Sequence, residues 1–335
     1  MRAALARVSP ARCGWAATRV GPPAWRGLAA AAQAAGVAEA AGALQLASAG
    51  NLVRFVAPTG GVHWGTLVEP VAGQSEVRAQ PLEADADLLR GPSEWRASAC
   101  EPLPISGLLP PLPVNPPPAI ICLGLNFHSH AKETGLPAPR FPVMFYKSPA
   151  SLAAPGQPVV IPGCARAKPE IDFEAELAFV VGRATRDAKL EDALGAVLGV
   201  TASNDVSARR WQGKKGGGQW SYSKSFDGFC PVGPSLAPIG TGSVGQKLTS
   251  DEGLRLRGLV NGKEMQDTVT SDMIFTIAEL VRFLSDGTTL LPGTLVLTGT
   301  PSGVGFTRKP PFYLGPGDEV TVELEGVGAL SNSIA

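Results

Sequence analysis

The chain has 335 residues, 44% hydrophobic and 17% charged, and its 29 basic residues balance 29 acidic ones to a formal net charge of +0. That length and apolar content fit one large or two smaller globular domains. Balanced charge without basic blocks argues against nucleic acid as a partner, and no uninterrupted apolar run is long enough to span a membrane.

Arg2, Arg7, Arg12, Arg19 and Arg26 precede the first acidic residue, Glu39, among Ala, Gly, Ser and Thr. An acid-free, Arg-bearing start predicts an organelle transit peptide over residues 1–45, mitochondrial or plastid, the plain alternative being an Ala-rich tail. The 5 cysteines are odd in number and lack a CxxC, which argues against a disulfide framework or a zinc site. The abundance of Gly (40) and Pro (31) favours short strands and ordered loops over long helices.

Leu52–Val56 and Val62–Val68 flank Pro58-Thr59-Gly60-Gly61 and predict a hairpin, so residues 46–101 read as a small β-rich N-terminal domain. Prolines at 102, 104, 110, 111, 113 and 116–118 mark 102–118 as a linker into a main domain over 119–335. Ala119–Gly124 reads as a buried strand, and Asn126–Gly135 as a short helix that stops at Gly135. His130 and Glu133 then lie at i and i+3 on one helix face. A carboxylate beside an imidazole fixes its tautomer and raises its basicity, which suits a general base, although a surface His–Glu pair has the same spacing.

In Asp172-Phe173-Glu174-Ala175-Glu176-Leu177 acid and apolar residues alternate, so one strand would carry three carboxylates on a single face. Two unit charges ~4 Å apart repel by roughly 4 kcal/mol at an effective dielectric of about 20. Such a face is either open to water or neutralised by a cation. Further on, Glu191–Leu198 is weakly helical and Val200–Asn204 strand-like, and Asp205–Gln212 reads as the start of a helix, the N-cap being the plain alternative role for Asp205. Lys214–Gly218 reads as a mobile lid rather than a phosphate loop. Thr276–Glu279 is a capping box opening an amphipathic helix. Thr294–Pro301 and Gly317–Leu324 read as strands.

These motifs, in this order, resemble the fumarylacetoacetate hydrolase (FAH) superfamily over about residues 119–335. The carriers are Asn126-Phe127-x-x-His130-x-x-Glu133, Asp172-Phe173-Glu174-x-Glu176-Leu177, Asn204-Asp205-Val206-Ser207-Ala208-Arg209 with Gln212, and Lys224-Ser225-Phe226-Asp227. They continue through Val260-Asn261-Gly262, Asp272-Met273-Ile274-Phe275 and Leu297–Gly305. The segment Phe306–Pro311 is similar to one branch, mitochondrial proteins assigned as oxaloacetate tautomerases, whose relatives are acylpyruvate hydrolases and oxaloacetate decarboxylases.

The resemblance implies an α+β, β-rich fold, a mixed β-roll with short helices, and a homodimer. It also implies Mg2+, with Mn2+ as the alternative, held by Glu174, Glu176 and Asp205. His130 and Glu133 match the catalytic dyad and Lys224 a catalytic lysine. Arg209, Gln212 and Thr300 match positions that contact the substrate, a small 2-oxo dicarboxylate. Asp172 falls at a less constant position and is left out of the ligand set. Phe127, Arg210, Ser223 and Gly228 depart from the usual pattern without removing a reacting group. The implied reaction passes through an enolate of a 2-oxo acid, with tautomerisation ranked above hydrolysis and decarboxylation. A structural cation site in a non-enzymatic binding protein is the reading from another class.

Overall fold

The computed structural model describes residues 37–69, 76–240 and 242–335. The expected leader lies almost wholly outside them; only its last residues, in the helix Val37–Leu44, are described. Short strands dominate, in keeping with the Gly- and Pro-rich composition and the expected α+β class. The hairpin forms as read, Leu52–Val56 pairing antiparallel with Val62–Leu67.

The largest sheet has 12 strands. Its hairpin end is extended by Arg78–Pro81 and Leu103–Pro104. Leu52–Val56 meets Cys230–Pro238 through Leu52 opposite Leu236. The sheet then continues through Val197–Asn204, Ala175–Val181, Leu295–Leu297 and Ile120–Gly124 to the edge strand Val143–Lys147. Leu295–Leu297 runs parallel to Ile120–Gly124, and its neighbour Ala175–Val181 is antiparallel to it, so the sheet is mixed. The stretch 102–118 supplies the short strands Leu103–Pro104 and Gly107–Leu109, the latter pairing with the hairpin.

The central strands are apolar on both faces because both are covered. Ile121, Leu123, Leu177 and Phe179 pack with Leu256, Val322 and Leu324 of a 4-stranded sheet and with Leu280 and Val281 of the helix Ile277–Ser285. Alternate residues Ile120, Cys122, Ala178 and Val180 face a second cluster with Val232 and Leu236. The Thr276–Glu279 capping box is present.

Two local expectations are corrected. The acidic stretch is not one strand. Ile171–Asp172 pairs with Ser207–Ala208, whereas Ala175–Val181 pairs with Val197–Asn204, and the chain changes partners at Phe173 and Glu174. Asp205 is not a helix N-cap, because the chain first makes the strand Ser207–Ala208, and the helix Arg209–Gln212 begins after it. Cys122, Cys164 and Cys230 are free thiols.

Candidate active site

Antiparallel register brings the acids together. Ala175 pairs with Asn204 at the ends of neighbouring strands, so the residues just beyond, Glu174 and Asp205, are also neighbours. The Asp205 N–H donates to the Glu174 carbonyl at 2.9 Å. Glu176 lies two residues into the strand, on the face of Ala178 and Val180. One oxygen from each of Glu174, Glu176 and Asp205 falls within 4.8 Å of the others. All three are buried, so the solvated-face reading does not hold.

Cations on the chain answer much of this charge. Lys224 Nζ donates to Glu174 Oε2 at 2.8 Å, Asp205 Oδ2 at 2.6 Å and Ser207 Oγ at 2.6 Å. Lys147, which sequence reasoning missed, donates to Asp205 Oδ1 at 2.5 Å. It ends an apolar edge strand, and nothing local in the sequence announces its buried partner. Arg209 Nε donates to Asp172 Oδ2 at 2.8 Å, and its Nη2 lies 2.7 Å from Glu174 Oε1 without hydrogen-bond alignment.

These contacts set the acidities. Burial alone would raise Glu174, but Lys224 and then Arg209 outweigh it and hold the carboxyl at about 2. Burial likewise opposes the charge of Lys224, and Asp205 and Glu174 more than restore it, so its pKa rises. Glu176 is the exception. Burial first, then the charges of Asp205 and Glu174, push it well above the usual carboxylate range. Its Oε2 accepts from the Gly299 N–H at 2.7 Å, while its buried Oε1 has no partner.

That orphaned oxygen, converging with two further carboxylates, is what an oxygen-seeking divalent cation fits. Four buried acids, counting Asp172, face two buried lysines, Lys147 and Lys224, and the partly buried Arg209. The surplus negative charge is removed either by a proton on Glu176 or by a cation at this point.

The dyad stands on the helix His128–Thr134, stopped by Gly135 in the left-handed conformation as expected. His130 Nδ1 and Glu133 Oε2 are 2.9 Å apart. Burial would raise Glu133, but hydrogen bonds from His130, the Gly303 N–H and Thr307 outweigh it and lower its pKa. Phe306 links the dyad to the acid cluster. Its ring meets His130 edge-on at 6.4 Å, and the Arg209 guanidinium lies 4.3 Å from its centroid.

Gln212 accepts from Arg209 Nη1 at 2.8 Å. The Thr300 hydroxyl is committed to the framework, donating to the Ala175 carbonyl at 3.1 Å and accepting from Gln266 Nε2 at 2.8 Å. Asp172 serves as a structural acceptor, taking the N–H groups of Gly305 at 2.7 Å and Phe306 at 3.0 Å beside Arg209.

Residues 119–335 match the family model for the C-terminal domain of fumarylacetoacetate (FAA) hydrolase. The chain belongs to the fumarylacetoacetate hydrolase family. Oxaloacetate tautomerase fahd2, mitochondrial, of Xenopus laevis is 43% identical over 223 residues, covering 66% of this chain and 67% of that protein. Oxaloacetate tautomerase FAHD2A, mitochondrial, of Homo sapiens is 39% identical over 222 residues, covering 66% and 68%. Among solved structures, the fumarylacetoacetate hydrolase of Exiguobacterium antarcticum aligns with a TM-score of 0.69 at 32% identity, covering 85% of this chain and 98% of that one. The 2-hydroxyhepta-2,4-diene-1,7-dioate isomerase of Mycobacterium marinum aligns with a TM-score of 0.68 at 31% identity, covering 86% and 98%.

Proposed function

We propose that this family member is an oxaloacetate keto–enol tautomerase that requires a divalent cation, Mg2+ before Mn2+. The observation that carries the reading is the convergence of Glu174, Glu176 and Asp205 on an orphaned carboxylate oxygen, beside a buried lysine and a His–Glu dyad. The names of the two similar tautomerases supply the substrate. A cation held by the three acids would supply Lewis acidity, making the C3 protons of a 2-oxo acid easier to remove.

Glu133 accepts the hydrogen bond of the His130 Nδ1–H, which leaves Nε2 as the basic atom. His130 can then accept a proton from C3 and return it to oxygen, or the reverse. Lys224 and Arg209 keep positive charge next to the place where the enolate charge develops. Gln212, bonded to Arg209, orients that guanidinium toward a substrate carboxylate.

A second reading is hydrolysis of acylpyruvate-type substrates, favoured by the similarity to a solved fumarylacetoacetate hydrolase. There the same His130 would activate a water. One experiment separates the readings: the purified chain with Mg2+ is offered enol-oxaloacetate, keto-oxaloacetate and acetylpyruvate, and kcat/KM values are compared. Preference for acetylpyruvate, or carbon dioxide release from keto-oxaloacetate outpacing tautomerisation, would sink the tautomerase assignment.

The proposal extends to a mitochondrial homodimer. The edge strand exposes Val143, Met144 and Tyr146 at 43%, 39% and 49%, an apolar edge of the kind that pairs with a second copy. Sedimentation at micromolar concentration tests this, and a monomer there refutes it. The arginines before Glu39 and the mitochondrial names of the two relatives support the location. A fluorescent fusion of residues 1–45 that stays cytosolic refutes it.

A further inference from the structure

We propose that Thr307 is a positioning residue for the His130–Glu133 dyad, holding the Glu133 carboxylate ionised and aimed at the imidazole. Thr307 lies in the Phe306–Pro311 segment that the sequence singles out, and the proposed chemistry leaves it without a role. Its Oγ1 is 2.8 Å from Glu133 Oε1, the oxygen that does not face His130. The Gly303 N–H donates to the same oxygen at 2.9 Å. Glu133 is thus bonded through Oε2 to the base and through Oε1 to this loop.

The Thr307 hydroxyl has one proton and two acceptors, the second being the Val304 carbonyl at 2.9 Å. Charge decides between them. A hydrogen bond to an ionised acceptor is about twice as strong as a neutral one. Were the proton on Val304, two oxygen lone pairs would face each other at 2.8 Å. The hydroxyl therefore donates to Glu133 whenever that residue is ionised, and this favours the ionised form.

The loop does not depend on this hydroxyl for its shape. Asp172 binds the N–H groups of Gly305 and Phe306, and Arg308 Nη2 donates to the carbonyls of Met265 at 2.7 Å and Gly303 at 2.8 Å. A Cβ on Gly303 would lie 2.1 Å from the Met265 carbonyl, so the loop sits directly on the neighbouring strand. Removing the hydroxyl should leave the loop in place and act on Glu133 alone.

The inference rests on the dyad reading, so the test carries its own control. Tautomerisation of oxaloacetate with Mg2+ is measured as a pH profile for the parent, Thr307→Val, Thr307→Ser and Glu133→Gln. Thr307→Val removes one donor to a charged group, and we expect kcat to fall about tenfold with KM little changed. Its acid limb should move to higher pH, because Glu133 protonates more readily. Thr307→Ser keeps the donor and should restore both values. If Glu133→Gln is impaired while Thr307→Val keeps the parent kcat and acid limb, the positioning role is overturned and the dyad stands. If Glu133→Gln itself matches the parent, the dyad reading fails and this inference fails with it. Should Thr307→Val not fold, Thr307→Ala against Thr307→Ser poses the same question.

Discussion

Glu176 carries one oxygen on the Gly299 N–H and one with no partner, deep among other acids. Burial and the neighbouring acids raise its pKa, so the metal-free fold releases this proton at a higher pH than the unfolded chain, which releases it near pH ~4.3. The sign follows: the folded state binds more protons, so this group's stabilising contribution is full below that pH and is lost as pH rises toward its folded value. Cation binding must expel the proton, so affinity should rise with pH and a proton should be released. Glu176→Gln mimics the protonated acid. We expect it to leave metal-free stability nearly unchanged, to flatten that pH dependence, and to weaken Mg2+ by more than the ~10–100-fold seen for lost outer-shell partners. Calorimetric titration in two buffers checks both points, and unaltered Mg2+ affinity rules out the ligand role.

Glu133 poses a different question, since general acid–base help is typically worth about 10²–10⁴-fold. We expect Glu133→Gln to lower acylpyruvate hydrolysis by roughly that factor. Tautomerisation should suffer less, because Lys224 and Arg209 still answer the enolate charge. The ratio of the two activities in that variant is the measurement. Equal losses would mean that Glu133 matters as much to the C3 proton transfer as to water activation, and would overturn the expected difference.

Between Ile171–Asp172 and Ala175–Val181 the backbone leaves one strand partner for another, and the freed N–H groups need acceptors. Asn204 Oδ1 takes the Glu174 N–H at 3.1 Å, and Gln266 Oε1 takes the Ala175 N–H at 2.9 Å. Gln266 also donates to Thr300 and to the Pro301 carbonyl at 2.9 Å, tying three elements together at the acid cluster. Gln266→Leu removes all of these while keeping the bulk. Each buried group left unpaired costs about 1–3 kcal/mol, so we expect destabilisation of at least that size. Denaturant unfolding checks it, and a midpoint equal to the parent's would show that the switch is held in some other way.

The acid cluster sits between two covered sheet faces, and the chain's own cations neutralise most of it. The fold therefore does not depend on a bound cation for its charge balance. We expect EDTA to abolish turnover reversibly while the melting temperature changes little. A protein that melts on chelation would instead hold a structural cation, as in the non-enzymatic reading, because a site essential to folding carries its binding energy as folding energy.

Local chemistry made much of this protein legible in its sequence. The hairpin, the capped helix, the Gly135 stop and the i, i+3 placement of His130 and Glu133 depend only on neighbouring residues and on backbone periodicity. The ordered motifs brought the family. Tertiary structure decided what alternation could not. The acidic stretch looked like one strand because period-2 patterning does not record which strand a residue pairs with, and that partner changes at Phe173 and Glu174. Lys147 escaped notice, and Ser207 was read only as part of a motif, because the pairing of Lys147 with Asp205 and of Ser207 with Lys224 joins separate elements, and burial became visible only once the strands were laid side by side. Asp172 counted as a third acid of the motif, yet its carboxylate holds a loop more than 130 residues away, a link that only folding creates.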